Sequence, residues 1–225
     1  MIAWLYFAGG SGEPSTELTT PRLAAETSIT ASGSTAPIEE TVQSNEQTYV
    51  IDPAQSVASF EIDEVLRGSP QTVLGTTSEL AGQVQVDSSD LATAQFSQII
   101  INARTFETDS DRRNRAIRGP IILNSASDEF ELITFDVTSI DGLSGSATAG
   151  EAIEFTVSGD LKIKETTNPV TFEVSAAFVD EGTIEGTAET IVRRGDFGLG
   201  IPSVPGVADV SEDVVIRLEF VATAV

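Results

Sequence analysis

AIEFTVSGDLKIK, residues 152–164, is followed by ETTNP (165–169) and by VTFEVSAAF (170–178). In the first run Ile153, Phe155, Val157, Gly159, Leu161 and Ile163 take alternate positions, with Glu154, Thr156, Ser158, Asp160, Lys162 and Lys164 between them. In the second, Val170, Phe172, Val174, Ala176 and Phe178 alternate with Thr171, Glu173, Ser175 and Ala177. Side chains along a strand point to opposite faces in turn, so each run is a strand with one dry and one wet face. Thr166, Thr167, Asn168 and Pro169 supply turn chemistry between them. The segment predicts part of a curled antiparallel sheet whose dry face looks inward.

The same alternation recurs on both sides. Residues 50–62 form a strand region bent at Asp52-Pro53, with Ala58, Phe60 and Ile62 on one face. Residues 73–77 and 80–86 are expected to pair with each other. Residues 95–103 are rich in Ile but less regular. Residues 129–140 align Ile133, Phe135 and Val137, residues 183–192 follow a turn at Asp180-Glu181-Gly182, and residues 213–222 align Val214, Ile216, Leu218 and Phe220. The stretch 109–117 lacks alternation and carries Arg and Asn, which predicts a short helix. The count is about eight strands and one helix over residues 48–225. That predicts an all-β chain, an antiparallel eight-stranded barrel with one short helix, with a two-sheet sandwich as the competing architecture.

Residues 1–47 differ. Ile2-Ala3-Trp4-Leu5-Tyr6-Phe7-Ala8 is apolar but far short of the roughly 20 residues a spanning helix needs, and it lacks the basic flank of a signal peptide. We expect it to be the trailing end of an export or anchor segment, which a longer reading frame with a basic, apolar extension would support. Residues 9–47 have the Ser, Thr, Glu, Gly and Pro composition of a disordered tether. A domain held off a membrane surface outside the cytoplasm (periplasmic, cell-surface or secreted) follows as an expectation.

The net charge of −23 argues against nucleic-acid phosphates as partners and against general adhesion to an anionic bilayer. The chain has no Cys and no His. That removes thiol nucleophiles, disulfides, imidazole or thiolate metal sites and Ser-His-Asp triads.

Four motifs in order resemble the YceI-like family. Tyr49-Val-Ile-Asp52 with Ser56-Val-Ala-Ser-Phe60 is similar to its opening, and Phe130-Glu-Leu-Ile-Thr-Phe135 to a phenylalanine-led strand. Gly159-Asp-Leu-Lys-Ile163 with Thr167-Asn-Pro-Val170 resembles its central hairpin, and Arg194-Gly-Asp-Phe-Gly-Leu199 its late Arg-x-Asp-Phe-Gly signature. The resemblance spans about residues 48–225. It implies an extended, lipocalin-like barrel in an exported protein that holds a polyisoprenoid or similar amphiphilic lipid. Two departures stand out. The histidine that many relatives carry in the Arg-rich segment is absent from Arg112-Arg-Asn-Arg-Ala-Ile-Arg118, and the early glycine-phenylalanine pair is replaced by Gly75-Thr76-Thr77.

The candidate site follows. Phe60, Ile62, Phe135, Phe155, Val157, Phe172, Val174, Phe178 and Phe220 form the inward apolar set, suited to an acyl or isoprenyl tail or to an ordinary packed core. Arg113 and Arg118, from a cluster with Arg104, Arg112 and Arg115, could clamp an anionic head group or neutralise Asp109 and Asp111. The glycines of 195–200 match no phosphate loop. Acid pairs such as Glu212-Asp213 carry no spacing that marks a glycosidase. The expected function is non-enzymatic binding of an amphiphilic lipid, without catalytic residues, metal or cofactor. The alternative is a packed structural or interaction barrel on a tether.

Overall fold

Alternation builds the strands of this protein, and a few residues bend them. The computed structural model describes residues 12–23 and 46–225. Among the described residues there are thirteen strands: β1 (Gln47–Ile51), β2 (Val57–Leu66), β3 (Ser69–Thr77), β4 (Leu80–Ala81), β5 (Gln83–Asp87), β6 (Asp90–Phe96), β7 (Ile99–Asn102), β8 (Leu132–Asp141), β9 (Ile153–Ile163), β10 (Thr166–Asp180), β11 (Thr183–Arg193), β12 (Val207–Ala208) and β13 (Asp213–Ala224). One α-helix, α1 (Asp111–Arg118), lies between β7 and β8.

Apart from the two-residue β12, these merge into eight long strands. β1 and β2 are one strand bent at 52–56, and together they pair with β13 on one side. On the other side they pair with a second bent strand made of β3, β4 and β5. That strand pairs in turn with β6 and β7. The ladder continues from β7 through β8, β9, β10 and β11 to β13, so the first and last strands meet and the meander returns on itself. All pairs are antiparallel. At the first bend the Ser56 hydroxyl donates to the Val221 carbonyl and accepts from the Val221 amide, replacing ladder bonds lost at the kink.

Two expectations need correction. Residues 73–77 and 80–86 do not pair with each other. They are successive parts of one strand, and β3 pairs with β2 through a two-residue turn at Arg67-Gly68. The turn after β9 is Lys164-Glu165, and Thr166 to Pro169 already belong to β10. Pro169 fits there because β11 joins β10 only from Glu173 on, so the missing N–H faces an open edge.

The Arg67-Gly68 turn has φ of 52° and 86°. Two positive φ values define the hairpin turn whose twist matches the flanking strands, and it favours Asn-Gly. An arginine at the first position sits there at a cost of about 1 kcal/mol.

The longest connections gather at one end of the barrel. They are 103–131, which carries α1, and 194–212. Ser110 caps α1, its hydroxyl accepting from the Arg113 amide, and Asp111 and Arg118 sit at the ends that suit the helix dipole. Beneath α1 is a buried polar knot. Glu131 accepts from the Asn102 side chain at 2.8 Å and faces Arg104 at 3.4 Å. Arg104 also donates to the Ser125 carbonyl at 2.7 Å and to Asp128. Residues 12–23, which the sequence assigns to the tether, reach this knot: the Ser15 amide donates to Glu131 at 2.8 Å and its hydroxyl to the other carboxylate oxygen. The apolar run 2–8 and residues 24–45 lie outside the described residues. Among the described residues no buried side-chain polar atom lacks a partner.

Candidate functional site: an apolar lumen with an arginine-lined mouth

The inward faces of the eight strands enclose a cavity of about 560 Å³. All nine residues of the predicted apolar set line it. Phe135, Val157, Phe172, Val174 and Phe178 are buried, while Phe60, Ile62, Phe155 and Phe220 are only half-buried although they point inward. Half-buried apolar side chains on the inner face mark an interior that side chains do not fill.

Two features of the sequence create the room. One wall is made of small residues: Ala176 on β10 lies opposite Gly186 on β11, and Ala188 follows two positions on. Phenylalanine rings also lie flat along the wall, one of them over Gly186 itself. Phe60 covers Gly75, its register partner across β2 and β3, and Phe220 covers Gly186 across β13 and β11. A Cβ at Gly75 would sit 2.2 Å from the Phe60 ring, and one at Gly186 would sit 2.7 Å from the Phe220 ring. Only glycine allows that approach. Edge-to-face contacts, Phe60–Phe106 at 5.3 Å and Phe135–Phe172 at 5.0 Å, hold other rings in place.

The far end is shut. Tyr49 and Phe178 meet edge to face at 5.8 Å, packed with Leu91 and Ile184, and the Tyr49 hydroxyl donates to the Glu181 carbonyl. Burial, reinforced by Asp180 and Glu181, pushes that phenol's pKa up. The near end is open. Of the residues around the cavity, the exposed ones are Arg67, Arg112 and Pro205, all at the end that carries α1.

Charge at this mouth is arginine held by acids. Arg113 bridges Glu64 on β2 at 3.2 Å and Asp109 before α1, which pins the helix to the barrel wall. Arg194 pairs with Glu212 and donates to the Leu199 carbonyl at 3.2 Å. Of the two predicted head-group residues the structure brings only Arg113 to the cavity. Arg118 is buried beside Gly12 and donates to the Arg104 carbonyl, away from the lumen. Sequence reading did not single out Glu64, Arg67 or Arg194 as lumen residues. The parity of β2 could have found Glu64, which falls in phase with Phe60 and Ile62.

Comparison with known proteins agrees with this architecture. The model of the YceI-like domain matches residues 49–222. No curated protein matches. Among solved structures the chain is similar to BcnA of Burkholderia cenocepacia, with 24% identity, a TM-score of 0.59, and coverage of 77% of this chain and 99% of that one. It is similar to a polyisoprenoid binding domain from Saccharophagus degradans implicated in plant cell wall breakdown, with 16% identity, a TM-score of 0.61, and coverage of 80% and 99%. It is also similar to the YceI protein of Campylobacter jejuni, with 13% identity, a TM-score of 0.53, and coverage of 66% and 83%. An up-and-down barrel around an apolar lumen, matched along nearly its whole length by one family model, places this chain in the YceI-like family.

Proposed function

We propose that this protein binds a polyisoprenoid-type amphiphile, its tail in the lumen and its head at the Arg113 end, without catalysing a reaction. The observation that carries the reading is the unfilled apolar interior. A cavity of this size, lined mostly by apolar side chains, is suited to one long apolar tail. The Saccharophagus degradans domain, described as polyisoprenoid-binding, supports the choice of tail.

Native mass spectrometry of protein from a membrane-containing host, followed by solvent extraction, tests the reading. A long-chain amphiphile in near-stoichiometric amount is expected. A mass that stays at the apo value after incubation with polyprenyl lipids would overturn it.

The head-group assignment makes a separate prediction. A charge-assisted hydrogen bond contributes about 1.5–3 kcal/mol. Arg113→Ala should therefore weaken polyprenyl phosphate at least roughly tenfold relative to neutral polyprenol. Arg118→Ala should leave that ratio unchanged, because its side chain does not reach the lumen. Competition binding with the two lipids reads both.

We further propose that the domain works outside the cytoplasm, tethered through residues 1–47. The polar composition of 9–47 beside the apolar run 2–8 supports this. Recovery of the native protein in a cytosolic fraction would refute it.

A further inference from the structure

We propose that the open end of the barrel is a docking surface for a lipid bilayer, held chiefly by apolar side chains, with charge in a secondary role. The purpose of docking rests on the carrier reading above. The surface is argued from its own composition and geometry.

About a fifth of this chain is charged. Residues 197–208, FGLGIPSVPGVA, hold no charged side chain for twelve positions, and residues 119–127, GPIILNSAS, hold none for nine. Far apart in sequence, the two stretches touch, the Gly200 amide donating to the Ile121 carbonyl at 3.1 Å. β12, within the first stretch, pairs with the end of β2, and the Arg67 amide donates to the Gly206 carbonyl at 2.6 Å. The loop, the hairpin tip and the 119–123 turn thus form one rim. Leu199, Ile201, Pro202, Val204, Pro205 and Val207 of that rim also line the cavity, and Pro205, Gly206 and Ala208 are exposed. Half-buried apolar side chains therefore continue from the lumen onto the rim, where Pro205, Gly206 and Ala208 reach the surface.

Charge and strain point to the same partner. A net charge of −23 opposes adhesion to an anionic membrane, so attachment must come from burying the uncharged rim among lipid chains. Arg67, exposed beside Gly206 at the mouth, can run its stem along that apolar rim and place its guanidinium group among lipid phosphates. Arg67 does so from a strained turn position where asparagine would be relaxed. Docking also removes an obstacle to uptake. A tail crossing water exposes each methylene at about 0.8 kcal/mol, whereas a tail moving from bilayer to lumen along this rim stays dry.

Hydrogen–deuterium exchange on the full chain, with and without phosphatidylcholine vesicles, tests the proposal. Amides in 199–208 and 119–123 are expected to slow several-fold on vesicles, and the slowing should survive high salt. Val204→Asp should abolish it. Arg67→Asn, which suits its turn and so preserves the fold, should reduce it. Unchanged exchange at the rim, slowing confined to the N-terminal segment, slowing that high salt removes, or a Val204→Asp variant that behaves like wild type would each overturn docking. Unchanged rim exchange would leave the surface to a protein partner. Loading of polyprenol from detergent micelles separates the two proposals. Ala208→Asp, at an exposed rim position outside the cavity lining, should lose the protection on vesicles yet load like wild type. A wild-type protein that is protected on vesicles but takes up no polyprenol from micelles keeps the docking surface and loses the carrier reading.

Discussion

Phenylalanine at both Ala176 and Ala188 is expected to abolish lipid binding while leaving the barrel folded. Both alanines face the lumen from adjacent strands. New rings here enter unfilled space, so the strain of about 1–3 kcal/mol that accompanies overpacking of a full core is not incurred. The ligand has no such freedom. Displacing only four carbons of tail forfeits about 3 kcal/mol, roughly two hundredfold in affinity. The comparison to make is lipid titration beside thermal unfolding. Lost binding with an unchanged or higher melting temperature fits a hollow barrel. Unchanged binding would move the ligand out of the lumen, and collapse of the fold would mean that the interior is already full.

Glu131→Leu is expected to be the most destabilising single change outside the lumen. Its carboxylate receives the Asn102 side chain, the Ser15 amide and hydroxyl, and the approach of Arg104, and its side chain is 4% exposed. Removing it strands Asn102 and leaves Arg104 with Asp128, which is 81% exposed. Breaking a buried pair from one side costs about 3–5 kcal/mol. For a domain of this size that lowers the melting temperature by roughly 10 °C. A shift of a degree or two would show the knot to be dispensable.

The same residue gives acid sensitivity. Burial alone would raise the Glu131 pKa, but hydrogen bonds from Ser15 and Asn102 and the charge of Arg104 outweigh it and hold the carboxyl below its ordinary 4.5. A carboxyl lowered by folding contributes stability in full above its unfolded pKa and loses it as pH falls through the folded value. Stability measured by denaturant should therefore drop below pH 4.5, and the gap between wild type and Glu131→Gln should narrow there. A constant gap would contradict the assignment.

How much of this was legible in the sequence depends on periodicity. β9, β10, β11 and β13 alternate cleanly, and they appear within a few residues of the expected bounds. The lumen residues were legible for the same reason, because parity alone assigns Phe155 or Phe220 to the inner face. Connections were harder. Thr166 to Pro169 look like a turn by composition, but Lys164 takes the positive φ and the turn. Arg67 gives no turn signal, so the hairpin of β2 and β3 was missed. Glu131 and Asn102 fall within stretches expected as strands, and nothing in the sequence marks either as buried. Their burial follows from three distant segments, around residues 15, 102 and 131, meeting at one point. Arg118 misled for the complementary reason: its charge suggested solvent or ligand, yet its site lies beneath residues 12–23.

The seam between the first and last strands has a kinetic consequence. Ser56 and Val221 bond each other across 165 positions of sequence. Every other pair in the meander joins neighbours along the chain, but this one cannot form until almost the whole domain has emerged and been gathered. Closing so long a loop is entropically slow, and all-β chains dominated by distant pairings fold in milliseconds to seconds. Until then β13 and the β1–β2 strand are free edges with an apolar side, open to pairing with other molecules. The barrel is therefore most exposed to aggregation just before its last seam closes.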